Sequence, residues 1–328
     1  KGGHKCGKLV VTRSEAERED LAELKRRAEH NGVPVQLVTP EEAHAIEPRA
    51  HTVGEALFSP TSAAVSPARV MESLAHEAVN RDIHLALETS WLHQDERRHE
   101  TSRGPIEAGF FVNAAGLQAV QIAHRCGLGS RYAVLPFKGH YLYGDESFPP
   151  LAVHIYPVPD LELPFLGVHF TVTADGRTKI GPTAGPAWWL ENYGAFGRSG
   201  FFAGFSMREL AAILNQQSRL FLRDGRFRRH AMKEPRKSFR RALLAEAGAL
   251  IKGLDPKRFS TWGRPGIRAQ LLDQQRGELL MDFCFESAPH ALHVLNAVSP
   301  GFTCAFSFAE LLADAVEQQA NHGQSSSN

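Results

Sequence analysis

Apolar positions recur at helical spacing three times in the first 80 residues. The first such segment follows Ser14, and Glu17 three residues later predicts a capping box at the start of a helix. The second and third segments open at Thr39 and Ser66, and in both a proline at the first helical position favours a helix start. The pattern therefore predicts three amphipathic helices in the amino-terminal part of the chain.

The segments around these helices predict short strands and turns. Residues 6–12 and 84–89 are apolar enough to predict strands, whereas the polar residues 94–105 predict a solvated turn. Residues 109–113 predict a buried strand, and residues 117–126 predict the helix that follows it.

The segment 131–182 loses helical periodicity and is rich in valine, tyrosine and phenylalanine, which predicts antiparallel strands. Within it, Asp175-Gly176 is a strong hairpin-turn signal. Alternation along the strand before that turn predicts two opposite faces, an apolar one with Val168, Phe170 and Val172, and a polar one with His169, Thr171 and Thr173.

The carboxyl-terminal part mixes helices with strands. Helices are predicted for residues 206–222, where Glu209 supports the cap at Ser206, and for residues 238–250. G-I-R-A-Q-L-L and A-L-H-V-L-N predict strands, and the second leads through a glycine into a terminal helix.

These elements predict an α/β chain (α+β, two-lobed) whose lobes are interleaved in sequence. Strand–turn–helix units occupy residues 53–130 and 263–320, and residues 1–52 and 131–262 form the other lobe. The polar residues 321–328 predict a disordered tail. Because the sequence starts without Met and soon reaches a strand, we expect it to begin inside a fold.

Composition excludes several classes of function. The 328 residues include 37 basic and 36 acidic side chains, so charge does not favour nucleic acid or an anionic membrane as partner. The four scattered cysteines predict free thiols in a reducing compartment, and the 16 histidines show no metal-ligand spacing, so no metal site is predicted. No apolar run reaches the roughly 18 residues of a membrane-spanning helix.

Two strand–glycine–helix junctions, V-N-A-A-G-L and L-N-A-V-S-P-G-F-T, are candidate ligand sites. Exposed amides at a helix N-terminus favour an anion or a polarised carbonyl group, and small residues let a ligand approach the backbone. A simple tight turn is the alternative for each junction. No G-x-G-x-x-G follows a strand in this sequence.

Several polar side chains are candidates for chemistry. Arg268 lies in the apolar strand G-I-R-A-Q-L-L, where burial requires a carboxylate or phosphate partner, and a structural ion pair is the alternative. His169 is a candidate base near neutral pH, or else a hydrogen-bonded strand histidine. Tyr141, Tyr143 and Tyr156 are core or rim aromatics by default.

In their order along the chain, these pieces resemble the flavin-dependent L-2-hydroxyglutarate dehydrogenases and oxidases of the D-amino-acid-oxidase-like flavoprotein superfamily. The similarity extends over nearly the whole chain, and the pair I-Y-P-V-P-D with F-L-G-V-H-F-T is specific to this family. The main blocks are N-A-A-G-L-Q-A (113–119), L-P-F-K-G-H-Y (135–141), I-Y-P-V-P-D (155–160), P-F-L-G-V-H-F-T (164–171), G-I-R-A-Q (266–270) and L-H-V-L-N-A-V-S-P-G-F-T (292–303).

The resemblance implies that FAD is the cofactor. It makes residues 53–130 and 263–320 a Rossmann-like FAD-binding lobe, incomplete at its amino end, and residues 1–52 and 131–262 an antiparallel-sheet substrate lobe. The implied cofactor contacts are Ala115 and Gly116 near the pyrophosphate, and Gly301, Phe302 and Thr303 near the isoalloxazine ring.

The resemblance also implies roles for the polar candidates. Arg268 matches the arginine that binds the substrate carboxylate in related amino-acid oxidases. His169 is the candidate catalytic base, which takes the hydroxyl proton while hydride leaves carbon 2 for the flavin. Tyr156 and Tyr141 are expected to hydrogen-bond the substrate.

The sequence departs from the family pattern at several positions. The family's amino-terminal strand–G-x-G-x-x-G–helix, which holds the ADP half of FAD, is not in this sequence. His140 stands where the family usually has an acidic residue. Phe302, Phe306 and Phe308 replace small residues, and their bulk is expected to crowd the flavin.

We therefore predict FAD-dependent oxidation of a 2-hydroxy acid, above all of L-2-hydroxyglutarate to 2-oxoglutarate. Electrons would pass on to oxygen, a quinone or another carrier. Two alternatives stay open, namely an amino-acid or secondary-amine oxidase of the same superfamily and a non-catalytic truncated homologue that acts as a binding module. The expected location is cytoplasmic, with peripheral contact at a respiratory membrane as a variant.

Overall fold

The structure, a computed structural model, describes residues 3–160, 167–194, 202–237 and 239–325. The chain divides into two compact units: unit 1 comprises residues 1–85, 138–185 and 230–266, and unit 2 comprises residues 86–137, 186–229 and 267–328. These boundaries differ from those of the predicted lobes, since residues 53–85 belong to unit 1 and residues 186–229 to unit 2. The assignment of lobes to cofactor and substrate stays a prediction.

The strands in chain order are β1 Gly3–Lys5, β2 Lys8–Val11, β3 Gln36–Val38, β4 Ala56–Ser59, β5 Ala63–Val65, β6 Trp91–Asp95, β7 Arg98–Thr101, β8 Gly104–Glu107, β9 Phe111–Asn113, β10 Tyr132–Gly139, β11 Leu142–Tyr143, β12 His154–Pro157, β13 His169–Val172, β14 Thr178–Gly181, β15 Gly185–Pro186, β16 Thr261–Trp262, β17 Gly266–Asp273, β18 Glu278–Leu279, β19 Cys284–Ala288 and β20 Ala291–Asn296.

The α-helices are α1 Arg18–His30, α2 Pro40–Ile46, α3 Pro67–Asn80, α4 Ala119–Arg125, α5 Met207–Arg223, α6 Gly225–Lys237, α7 Arg240–Gly248 and α8 Ala305–Ser325. Short 3-10 turns occupy Glu15–Glu17, Gly116–Gln118 and Pro256–Arg258. The mixture of helices and sheets confirms the predicted α/β class. Of the helices, α6 was not expected from the sequence.

Unit 1 is built on an eight-stranded sheet with the order β16-β11-β14-β13-β12-β2-β4-β3. The neighbours pair antiparallel, except β2 and β12, which pair in parallel. One row of fully buried side chains crosses five of these strands: Leu142, Ile180, Phe170, Ile155 and Leu9. Burying each of these large apolar side chains contributes roughly 1.5–3 kcal/mol, so this row anchors the core of the unit.

On the opposite face, β12, β13 and β14 carry polar side chains, as the alternation along β13 predicted, whereas Val10 and Leu57 on that face belong to an apolar cluster. His154 pairs in register with Lys8, and Thr171 pairs with Lys179. The predicted hairpin also forms, because β13 and β14 pair antiparallel around the Asp175-Gly176 turn. Side-chain chemistry in unit 1 is therefore concentrated on one face of one sheet.

Helix starts follow the sequence signals with one exception. The helix predicted to open at Thr39 does so, and Thr39 and Glu42 form a capping box at α2. At Ser14 the prediction is wrong, since its side chain makes no capping hydrogen bond. The physical reason is competition: Glu17 accepts hydrogen bonds from the backbone N–H and the guanidinium group of Arg13 instead.

Unit 2 contains a three-stranded sheet of order β19-β20-β9, in which β20 runs parallel to β9 and antiparallel to β19. The expectation of a buried strand at residues 109–113 holds only in part. The strand spans Phe111–Asn113, and although Asn113 is buried, Val112 is 46% exposed.

Two further expectations, for residues 84–89 and 94–105, are wrong. Residues 84–89 form no strand, and residues 94–105 are not a solvated turn but contribute to an antiparallel sheet of order β6-β7-β8. Packing of rings explains the difference, because Trp91 and the buried His99 both contact the ring of Phe111. Trp91 Nε1 also donates a hydrogen bond to His99 Nδ1 at 3.2 Å.

Helix α8 continues through residues 321–325, which were expected to belong to a disordered tail, and residues 326–328 lie outside the described part of the chain. Among the described residues, no helix has both the length and the apolar character needed to cross a membrane. All four cysteines are free, as predicted.

Candidate functional site

Unit 2 contains a cleft of about 710 Å³ beside the ends of β9 and β20. Because these strands are parallel, the two strand–glycine–helix junctions that follow them lie at the same edge of their sheet. Ligands in α/β proteins bind preferentially outside the carboxyl ends of such strands. From the predicted cofactor set, Ala115, Gly116 and Gly301 line this cleft.

The first junction is held in place by the buried side chain of Asn113. Its Nδ2 donates to the carbonyl oxygen of Ala119 at 2.8 Å, and its Oδ1 accepts from the backbone N–H of Ala115 at 3.2 Å. Asn113 therefore closes the turn that presents Ala114, Ala115 and Gly116 to the cleft. The sequence showed that both strands end in Asn, but not that this side chain shapes the junction.

Gly116 and Gly301 have different reasons to be glycine. Gly116 has a φ of 57°, which favours glycine, and a Cβ there would meet no atom of the described chain within 4 Å. At Gly301 a Cβ would overlap the carbonyl oxygen of Ala297 and lie 3.3 Å from that of Val298. Only glycine therefore fits the second junction without moving its backbone.

The amino-terminal part of α8 lines the cleft with Ala305, Phe308, Ala309 and Leu312. Phe308 stacks on Phe283, with ring centroids 4.3 Å apart. Phe302 and Thr303, which precede α8, are exposed and are not among the lining residues. Their cofactor contacts stay a prediction.

Arg268 lies in β17 and lines the same cleft as the two junctions. Its side chain is partly buried, as expected for an arginine in an apolar strand. Glu191 and Tyr193 also line the cleft, and the carboxylate of Glu191 accepts a hydrogen bond from Gln118 Nε2 at 3.3 Å. No pattern in the sequence pointed to these two residues, which precede α5 in an irregular segment.

In unit 1, His169 is buried at the start of β13. Its Nδ1 lies 3.0 Å from the carbonyl oxygen of Gly167, a contact in which Nδ1–H is the donor. In the neutral ring this tautomer puts the lone pair on Nε2, which is the arrangement required of a general base. The ring stacks on Tyr156, with centroids 3.8 Å apart and planes inclined by 14°.

The two candidate tyrosines each carry a lysine ammonium group over the ring. Lys8 Nζ lies 5.4 Å from the centroid of Tyr156, and Lys179 Nζ lies 4.4 Å from that of Tyr141. Burial raises the pKa of Tyr156, against the effect of its hydrogen bond to Thr171. The phenol group therefore stays protonated and able to donate a hydrogen bond at neutral pH.

His154, which the sequence did not single out, lies on the same face. Its Nδ1 accepts the backbone N–H of Val172 at 3.0 Å, and its Nε2 lies 3.4 Å from Cys6 Sγ. Burial, together with the charges of Lys8, His4 and Lys179, lowers the pKa of His154 to about 4. The imidazole is thus neutral at physiological pH.

The predicted site residues fall into two groups. Ala115, Gly116, Gly301 and Arg268 share the cleft of unit 2. The residues His169, Tyr156 and Tyr141 belong to unit 1, where the first two are in direct ring contact. The catalytic and binding roles of all of them stay predictions.

Similar proteins occur in bacteria and animals. An L-2-hydroxyglutarate dehydrogenase of Escherichia coli O17:K52:H18 is 28% identical over 97% of this chain and 76% of its own length. That of Caenorhabditis briggsae, a mitochondrial protein, is 30% identical over 94% of this chain and 73% of its own length. These relatives confirm the resemblance seen in the sequence.

The fold is also similar to that of a solved oxidase. L-α-glycerophosphate oxidase from Mycoplasma pneumoniae, solved with FAD bound, superposes with a TM-score of 0.72 at 18% identity, covering 96% of this chain and 74% of that one. The FAD dependent oxidoreductase family, DAO, matches residues 2–315. The chain therefore belongs to the FAD dependent oxidoreductase family.

Proposed function

We propose that this protein oxidises L-2-hydroxyglutarate to 2-oxoglutarate with FAD as cofactor. The observation that carries the proposal is the cleft of unit 2, in which Arg268 lies together with two strand–glycine–helix junctions. Membership of an FAD dependent oxidoreductase family and the relatives named L-2-hydroxyglutarate dehydrogenase support the choice of cofactor and substrate.

The residues of the cleft fit a flavin nucleotide. Small residues at both junctions, Ala115, Gly116 and Gly301, leave the backbone open to a ligand, and the conformation of Gly116 leaves room where a side chain would stand. Phe302 and Thr303 follow directly in the second junction and are proposed to complete the contacts. Phe308 forms part of one wall of the cleft, where its ring is stacked against Phe283 and narrows the space for the cofactor. When bound, FAD supplies the acceptor for the hydride of carbon 2.

Arg268 is proposed to bind the carboxylate group next to the reacting carbon. A guanidinium group offers two parallel N–H donors that match the two oxygens of a carboxylate, which a lysine cannot reproduce. Its place in β17, a regular strand, restricts the motion of its backbone. The side chain would therefore orient carbon 2 rather than merely attract charge.

His169 is proposed to take the hydroxyl proton on Nε2. The bond from Nδ1–H to the Gly167 carbonyl oxygen fixes the tautomer, and stacking on Tyr156 fixes the ring plane. As the O–H bond breaks toward His169 and the C–H bond releases hydride, the carbon–oxygen double bond of the 2-oxo acid forms. Tyr156 and Tyr141 are proposed to donate hydrogen bonds to the substrate. Oxygen, a quinone or another carrier then receives the two electrons.

Anaerobic titration of the FAD-loaded protein tests this function. L-2-hydroxyglutarate should abolish the visible band of oxidised flavin, whereas D-2-hydroxyglutarate, glycine and L-proline should leave it unchanged. Reduction by an amino acid but not by the hydroxy acid would establish the amino-acid or secondary-amine oxidase alternative. Replacement of Arg268 by Lys should raise the KM about 10- to 100-fold with FAD content unchanged, while replacement of the exposed Arg276 by Lys serves as control.

A further inference from the structure

The polar face of the eight-stranded sheet in unit 1 holds two lysines with no described acidic partner. Lys8 of β2 and Lys179 of β14 are both partly buried, and neither forms an ion pair within the part of the chain that the structure describes. None of the eight strands contains an aspartate or a glutamate. Partly buried ammonium groups without a carboxylate nearby are costly, unless an anion joins them.

The two lysines lie at the ends of one short row of side chains. In register, Lys8 pairs with His154, and Lys179 pairs with Thr171 on the strand beside His154. Three strand spacings of about 4.8 Å separate the two lysine backbones, roughly 14 Å in all. Burial and the positive charges of both lysines lower the pKa of His154, and its imidazole is therefore neutral. The positive charge of this row thus lies on the two lysines.

The adjacent row of side chains supplies hydrogen-bond donors. Lys8 reaches across to Tyr156 on the neighbouring strand, and Lys179 lies over Tyr141. The hydroxyl groups of the two tyrosines interact electrostatically with each other. Gly181 pairs with His169 in this row, and a Cβ there would collide with the carbonyl oxygen of His140, so only glycine fits the position.

We propose that Lys8 and Lys179, with the hydroxyl groups of Tyr156 and Tyr141, form a binding site for the second carboxylate group of a dicarboxylic 2-hydroxy acid. The identity of this ligand rests on the proposed function, but the anion site itself does not. The lysine pair selects for substrates that carry a second negative charge. The tyrosine rings hold the ammonium groups in place through cation–π contacts.

Site-resolved chemical labelling of lysine amines tests the proposal without requiring turnover. Glutarate, a dicarboxylate that cannot be oxidised at a hydroxyl group, should protect Lys8 and Lys179 from labelling. Butyrate, with one carboxylate, should protect neither, and the exposed Lys257 should label equally under all conditions. Equal protection by butyrate, or no protection by glutarate, would overturn the proposal.

The variants add a second readout. Lys8→Gln and Lys179→Gln should each raise the KM for L-2-hydroxyglutarate about 10- to 100-fold, and should raise the KM for the monocarboxylate L-2-hydroxybutyrate much less. The Lys→Arg variants should recover most of the loss, and Lys257→Gln is the matched control. The experiments distinguish a failure of the proposed oxidase function from a failure of the proposed anion site. Glutarate protection without any flavin reduction refutes the oxidase function but supports the anion site, and turnover without protection refutes the site alone.

Discussion

Asn113 and His293 are bonded to each other across the parallel pair of β9 and β20, with Asn113 Nδ2 donating to His293 Nδ1 at 3.0 Å. Both side chains are buried, and burial lowers the pKa of His293, so its ring is neutral and carries its proton on Nε2. The same Asn113 amide closes the turn of the first junction. The position of Gly116 in the cleft thus depends on a side-chain bond between two strands that are 180 residues apart in sequence.

Replacement of Asn113 by Ala should therefore affect both stability and cofactor content. Three hydrogen bonds are lost, and His293 Nδ1 is left without its donor, which costs about 1–3 kcal/mol of unfolding free energy. Urea denaturation and the ratio of flavin to protein absorbance measure the two effects. Asn80→Ala, at the exposed end of α3, is the control. Wild-type stability in Asn113→Ala would show that the bond does not hold the junction.

Gly301→Ala should distort the second junction, because the new Cβ collides with the carbonyl oxygen of Ala297. We expect a loss of about 1–3 kcal/mol and weaker FAD binding, measured by denaturation and by fluorescence titration with FAD. Gly266→Ala is the matched control, since a Cβ there meets no atom within 4 Å, and its effect should stay within about 0.5 kcal/mol. If both variants bind FAD equally well, the second junction is not a cofactor contact.

His169→Asn separates a catalytic role from a structural one. The Asn side chain can still donate to the Gly167 carbonyl oxygen but offers no basic nitrogen. Steady-state kinetics should show kcat reduced about 10²- to 10⁴-fold with little change in KM, and the flavin content should match the wild type. His44→Asn on the exposed surface of α2 controls for the loss of a histidine. Full turnover in His169→Asn would assign the proton transfer to another group.

The free energy of unfolding should fall on mild acidification, because His154 binds a proton more readily in the unfolded chain than in the folded protein. Its pKa is about 4 in the folded protein and 6.5 as an ordinary histidine, so the unfolded chain binds the proton at a higher pH than the folded one. Neutral His154 contributes up to about 3 kcal/mol to the free energy of unfolding. This contribution is complete above about pH 6.5 and is lost as the pH falls toward 4.

Urea unfolding at about pH 7.5 and pH 5 measures this difference. His154→Asn keeps an acceptor for the Val172 N–H but does not titrate, so the drop in unfolding free energy between the two values should be smaller by about 2 kcal/mol. An equal drop in the wild type and in His154→Asn would mean that other groups cause the acid sensitivity.

Local sequence signals predicted much of the fold. Alternation around Phe170 placed His169 on the polar face, and Asp175-Gly176 placed the hairpin, because both depend on backbone geometry over a few residues. Likewise, a single glycine after each strand was enough to find the junctions that line the cleft. The β6–β8 sheet was missed because its strands bury rings such as His99 and Trp91 instead of an alternating aliphatic face.

Features that depend on distant contacts could not be read from the sequence. The parallel pairing of β2 with β12, which puts Lys8 beside His154, joins strands more than 140 residues apart. A lysine in a short strand near the start of a chain is ordinarily a solvent-exposed residue, and only the register shows its place on a polar face. The bond from Asn113 to His293 and the contribution of Glu191 to the cleft have the same non-local origin.

The most direct test of the central claim is a single anaerobic turnover of the FAD-loaded protein with L-2-hydroxyglutarate. We predict that flavin reduction and 2-oxoglutarate formation are equimolar, and that deuterium at carbon 2 slows the reduction. Arg268→Lys should keep the product stoichiometry and require more substrate. An unreduced flavin, or flavin reduction without 2-oxoglutarate, would contradict the account.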